Sequence, residues 1–184
     1  MATNGAPVPP ELADRVAAEL SADEQLVWVG QPREDLAARP ACVMIPVGLV
    51  FTAVAIAWIV ISFQFTSGLM APCGLPFIAV GIGLLASPAW LRAMARKTVY
   101  ALTSRRAIIW QPALFGRVTV QSYTAAGLGQ MTRMERPDGS GNLVFQVFVS
   151  GTGDSSRTEQ RGFMAIDNVK HVEELVRKTL LAGR

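Results

Sequence analysis

Residues 40–91 contain no Asp, Glu, Lys, Arg or His. That uncharged run of 52 residues constrains the chain more than any other feature. One membrane-crossing helix needs roughly 20 apolar residues, and elements of a soluble core seldom extend more than a few turns without a charge. The run is long enough for two spans. It breaks at FTSGLMAPCG, where Thr66, Ser67, Gly68, Pro72 and Gly74 are turn formers. The expectation is a transmembrane α-helical hairpin over residues 40–92. Its first span covers about residues 41–63 and its second runs from 69 or 75 to 91. Pro46, Pro76 and Pro88 lie toward the span ends, where a missing N–H disturbs fewer backbone bonds.

The flanks set an orientation. Arg33 and Arg39 precede the run, Arg92, Arg96 and Lys97 follow it, and the turn carries no positive charge. The positive-inside rule then puts both termini in the cytoplasm, with the chain multi-pass in the inner (cell) membrane. Residues 1–39 contain Glu11, Asp14, Arg15, Glu19, Asp23 and Glu24, which is not the composition of a signal peptide, so the apolar block is expected to stay as an anchor.

Charge is uneven along the chain. Residues 1–39 carry three basic and seven acidic side chains, a net of −4; residues 92–184 carry fourteen and seven, a net of +7. A basic segment beside a bilayer suggests anionic headgroups or an acidic protein as partners. Nothing points to nucleic acid. Within the spans no ionisable group offers a proton or ion path. Thr52, Ser62 and Ser87 can bond carbonyls of their own helices. Gly81 to Ala86 spell G-x-G-x-x-A, but this follows no strand and lies inside a span, so it is no dinucleotide fingerprint. Ala79, Gly83 and Ser87 recur every four residues, and Ala53 and Ala57 do so on the first span. Both sets are candidate helix–helix packing faces, and they are compatible with a homo-oligomer.

Outside the block, Leu12, Val16 and Leu20 trace one face of a short helix after Pro9 and Pro10, and residues 26–29 read as a strand. After Lys97 the period changes to two. Strands are expected in TVYALT and RAIIWQ with a turn at residues 103–106, then in RVTVQSY, LGQMTRM, LVFQVFVS and FMAI. RPDGSGN is a long turn. A closing helix has Asp167 as its expected N-cap, a stripe of Val169, Val172, Val176 and Leu180, and Glu173 and Glu174 spaced to pair with Arg177 and Lys178. His171 falls off that stripe. These elements imply a mainly β cytoplasmic domain over residues 93–184, a small antiparallel barrel or sandwich.

The order of motifs resembles the bacterial membrane-anchored proteins with a pleckstrin-homology-like (PH-like) domain. The matching positions are Glu24, Trp28, Gly30 and Pro32 before the block and Tyr100, Leu102, Thr103 and Arg106 after it. Gly141, Leu143 and Phe145 then match a strand, and Phe163, Ile166 and Asp167 the close. The match covers roughly residues 22–182 and departs from the family at SYTAAGL, where an aliphatic–proline pair is usual. The resemblance implies a barrel of about seven antiparallel strands capped by a C-terminal helix, with residues 26–29 as the seventh strand. It brings no established reaction or ligand.

No nucleophile–base pair, metal motif or phosphate loop occurs in the sequence. Both cysteines, Cys42 and Cys73, lie in the apolar block, and Asp138, Asp154 and Glu159 fall in turn-like stretches. The reading is a membrane-tethered, non-catalytic binding or scaffolding module without a cofactor. Arg92, Arg96, Lys97, Arg105 and Arg106 are its candidate contacts to headgroups or an acidic partner. The alternatives are an enzyme acting on membrane lipid or envelope precursors, and a small transport or channel subunit.

Overall fold

A computed structural model describes residues 16, 19–21, 23–65, 67–113, 117–128, 131–150 and 157–181. The chain divides into two compact units. One is Glu34–Ala93; the other joins Met1–Arg33 to Met94–Arg184.

The first unit is helical. A short helix α1 (Glu34–Cys42) precedes α2 (Met44–Phe65), and a 3-10 turn (Ala71–Gly74) leads into α3 (Leu75–Lys97). Met44–Phe65 and Ala71–Lys97 are long and apolar enough to cross a membrane. Helix α1 was not expected. Its Glu34 and Asp35 begin the helix and Arg39 ends it, matching the backbone dipole, but Pro40 and the uncharged run that starts there disguise its last turn.

Helices α2 and α3 meet along a seam of small residues. Gly48, Ala55 and Ser62 are buried at seven-residue spacing, with half-buried Thr52 and Ile59 between them. Opposite them, Gly74, Gly81 and Pro88 are buried, with Ile78 and Leu85 half-buried between. A Cβ on Gly81 would collide with Thr52 Oγ1, and one on Gly48 would lie 3.0 Å from the Gly81 carbonyl oxygen. The packing faces read from the sequence are not the ones in this seam. Ala53, Ala57, Ala79 and Gly83 are exposed, Ser87 is half-buried, and a Cβ on Gly83 would meet nothing within 4 Å. A strict four-residue step drifts about 40° around the helix each time, whereas alternating steps of three and four stay on one face. The hydroxyls behave as expected. Thr52 donates to Gly48 O at 2.8 Å, Ser62 to Trp58 O at 2.8 Å and Ser87 to Leu84 O at 2.6 Å.

Among the described residues the second unit holds seven strands and a helix. They are β1 (Leu26–Gly30), β2 (Val99–Thr103), β3 (Arg106–Pro112), β4 (Val118–Thr124), β5 (Thr132–Glu135), β6 (Gly141–Ser150) and β7 (Arg157–Ile166), then α4 (Val169–Val176), which ends in a π-type turn, Arg177–Leu181. Every expected strand is present, and β7 starts six residues before FMAI. All pairings are antiparallel, in a sheet ordered β1-β2-β3-β4 and a second ordered β5-β6-β7. The strand count agrees with expectation, but the closed barrel does not: β4 and β5 end their respective sheets and do not pair with each other.

Strand β2 is buried at all five positions. On one face Tyr100 and Leu102 join Trp28, Ile109, Phe145 and Phe163 and the α4 stripe Val169, Val172, Val176 and Leu180. On the other, Val99 and Ala101 pack with Val29, Ile108, Trp110 and Val16. Val16 is helical and 1% exposed, so the expected N-terminal helix docks on the sheet at this residue; Leu20 is half-buried, and Leu12 lies outside the described residues. Phe163 ties the first cluster together, with ring centroids 5.4 Å from Trp28, 5.1 Å from Tyr100 and 4.8 Å from Phe145. Gly141 must be glycine, because a Cβ there would collide with the Met134 carbonyl across the β5–β6 pair.

Candidate functional site

Strands β1 and β2 are separated in sequence by the whole helical unit, yet they pair, with Gly30 opposite Tyr100. The helical segment is therefore inserted into one rung-by-rung strand pair. The connections are short: residues 31–33 on one side, and Thr98 alone between α3 and β2. Gln31 clasps them together. Its Nε2 donates to Arg96 O at 3.0 Å and to Thr98 O at 3.5 Å.

Arg33 holds the next layer. Its backbone N–H donates to Ala165 O at 2.7 Å, and its Nη1 donates to Asp138 Oδ2 at 3.5 Å and Asp167 Oδ1 at 3.3 Å. Asp167 is not the N-cap of α4, contrary to expectation. Asn168 occupies that position in the left-handed region, φ 46°, without a side-chain cap, and the Val169 N–H donates to Gly139 O at 3.1 Å. The RPDGSGN turn thus caps the helix with a backbone carbonyl. Asp138 shapes that turn by accepting from Ser140 Oγ at 2.6 Å and Ser140 N at 3.1 Å. Those donors, with Arg33 beside them, hold its carboxyl below the usual range.

At the opposite end of the sheet, the two arginines of the β2–β3 turn part ways. Arg105 is exposed and lies 3.8 Å from Asp23. Arg106 is bidentate to Glu24, with Nε to Oε1 at 2.9 Å and Nη2 to Oε2 at 2.9 Å. The Glu24 side chain is 2% exposed and also accepts from Thr103 Oγ1 at 2.6 Å. The Arg106 contact, chiefly, holds the Glu24 carboxyl down to about 2, against the desolvation that would raise it. Arg106 is thereby occupied within the fold. The partnership was hidden in the sequence because Glu24 and Arg106 lie 82 positions apart.

Strand register separates the five predicted basic contacts. Lys97 and Arg96 end α3, two residues and three residues before Val99, whereas Arg105 and Arg106 follow the far end of β2. Five residues of strand put about 17 Å between these ends. Arg92 belongs to the helical unit. Arg117, not singled out from the sequence, does fall at the helix-proximal end. Val99 is opposite Trp110 and Trp110 opposite Val120, so the Pro112–Val118 rung stands two residues further, past the start of β2. Lys97 and Arg117 make no ion pair with the described residues, whereas Arg105 and Arg106 both do.

Glu135, Gly139, Asn168, Lys170, His171 and Glu174 line an open polar groove of about 400 Å³ beside the α4 cap. His171 is exposed there, as expected of a surface residue. Glu159 is on β7, not in a turn, and pairs with Arg161 at 3.2 Å; Asp154 lies outside the described residues. No group of His, Cys, Asp and Glu among the described residues could hold a metal ion. Cys42 and Cys73 are both free and exposed. Comparison with protein-family models, curated proteins and solved structures returned no match.

Proposed function

We propose that this chain is a membrane-tethered, non-catalytic binding or scaffolding module that holds a PH-like domain at the cytoplasmic face of the cell membrane. The observation that carries the reading is the β1–β2 pair. Strands on either side of the apolar helices hydrogen-bond to each other, so they must share one side of any membrane the helices cross. An even number of crossings satisfies this, and two helices among the described residues qualify. Positive charge at both flanks then favours the cytoplasm for the domain. The four-plus-three strand order with a C-terminal helix supports the PH-like description, although the sheets do not close.

Two measurements test the reading. Reporters after Gly5 and after Arg184 are expected on the cytoplasmic side, with one at Ser67 outside; an external C-terminus refutes the topology. A photo-reactive residue at exposed Phe148 in native membranes is expected to capture a discrete protein partner. Its absence, together with turnover of a membrane lipid by the purified chain, refutes the module in favour of an enzyme.

A further inference from the structure

We infer that the helix-proximal end of the four-stranded sheet is itself a bilayer-contact surface, with Arg117 and Val118 resting on anionic phospholipid headgroups. The inference rests on the tethered-module reading and adds the face and the partner. The rung formed by Pro112 and Val118 lies two residues beyond the Val99–Trp110–Val120 level, at the end of the sheet where β2 follows α3 with one residue between them. This end of β4 therefore extends past the start of β2. Strand β4 is a sheet edge, and its first three residues are exposed, with Val118 at 47% and Val120 at 43%. Isolated exposed valines need no explanation, but here they adjoin the cation Arg117 at the sheet end where the helices join.

Charge separates the two ends of the sheet. At the far end Asp23 and Glu24 pair with Arg105 and Arg106. At the near end Lys97 and Arg117 have no acidic partner among the described residues. An unpaired cation beside apolar side chains matches the headgroup layer, where charge meets phosphate and the apolar neighbour enters the acyl boundary. The turn arginines are excluded from this surface by about 17 Å of strand and by their own ion pairs.

The test uses the full chain in vesicles, with Cys42 and Cys73 replaced by alanine. An environment-sensitive label is placed at Val118→Cys or at Ser104→Cys, and quenchers are carried either on lipid headgroups or in the aqueous phase. In vesicles containing phosphatidylglycerol, the label at 118 is expected to be quenched severalfold more by the headgroup quencher than the label at 104. It is also expected to be shielded from the aqueous one. Removing one basic residue at an anionic surface weakens the contact about fivefold, so Arg117→Gln should lower headgroup quenching at 118 and high salt should do the same. Circular dichroism of each variant checks folding. Equal quenching at 118 and 104, or the same result in phosphatidylcholine vesicles, overturns the inference. A captured protein partner with no bilayer contact at 118 would uphold the module and sink this surface alone.

Discussion

Cutting the chain where the sequence suggests a domain boundary should unfold the domain. A fragment beginning at Met94 lacks β1 and everything before it. It loses Trp28, 4% exposed and in ring contact with Phe163, and Val29, 7% exposed. Losing a buried Trp removes about 3–5 kcal/mol, and the indole Nε1 has no partner, so no hydrogen bond is lost with it. Val29 adds about 1.5 kcal/mol. Arg106 loses Glu24, but its side chain is 24% exposed and water can replace the carboxylate, so this adds only about 1 kcal/mol. The total, about 6 kcal/mol, is an upper figure because an unfolded chain already hides some surface. It still reaches the lower end of the roughly 5–15 kcal/mol that stabilises a domain. The comparison chain joins Met1–Arg33 to Met94–Arg184 through a short flexible linker. Urea titration followed by far-ultraviolet circular dichroism should give a cooperative transition for the spliced chain and none for the fragment. A fragment that unfolds cooperatively at the same urea midpoint would refute the argument that β1 is structural.

Three further outcomes are expected. Glu24→Gln in the spliced chain should lose about 1–2 kcal/mol at pH 7. Because the folded pKa of Glu24, about 2, lies below its ordinary 4.5, that stability is complete above about pH 4.5 and disappears as pH falls toward 2, so the acid limb should flatten in the variant. By the same geometry Arg106→Ala should destabilise the domain while Arg105→Ala stays within about 0.5 kcal/mol, measured by the same titration. Gly81→Val should loosen the α2–α3 seam and lower the melting temperature of the full chain in detergent, while Gly83→Val should leave it unchanged, since only the first would strike Thr52. Cys42 and Cys73 should form no intramolecular bridge in non-reducing mass spectrometry: helix α2, 22 residues and about 33 Å long, lies between them in the chain.

Local pattern was legible and pairing was not. Two short apolar runs in residues 98–111 identified β2 and β3, because a short polar turn stands between them. The stripe Val169, Val172, Val176 and Leu180 is buried throughout, as its spacing required. What escaped depended on contacts distant in sequence. Asp167 looked like a cap because Asp is a common N-cap, but a loop carbonyl thirty residues upstream fills that role and leaves the carboxylate for Arg33. Arg105 and Arg106 looked equivalent because a turn pair is normally solvated; a buried glutamate from before the helices distinguishes them. On the helices, residue size identified smooth faces, but only the partner's geometry decides which smooth face is used. Arg117 was passed over because its significance comes from register, which no single strand reveals.

The inserted hairpin also bears on how the domain can form. Gly30 and Tyr100 pair across 70 residues, and closing a loop of that length from a flexible chain carries a slowly growing entropic penalty and slows folding through long-range contact. Folding of α2 against α3 removes most of that penalty, because an antiparallel helix pair returns the chain to the side it left. The α2–α3 seam is local to its own unit and needs nothing from the sheet. Pairing of α2 with α3 before β1 meets β2 would therefore shorten the time for which the β2 edge stands unpaired. Residues 99–112 made before that step expose Tyr100, Leu102 and Ile109 without Trp28. A chain without that helix pairing would carry the same apolar surface unmatched for longer.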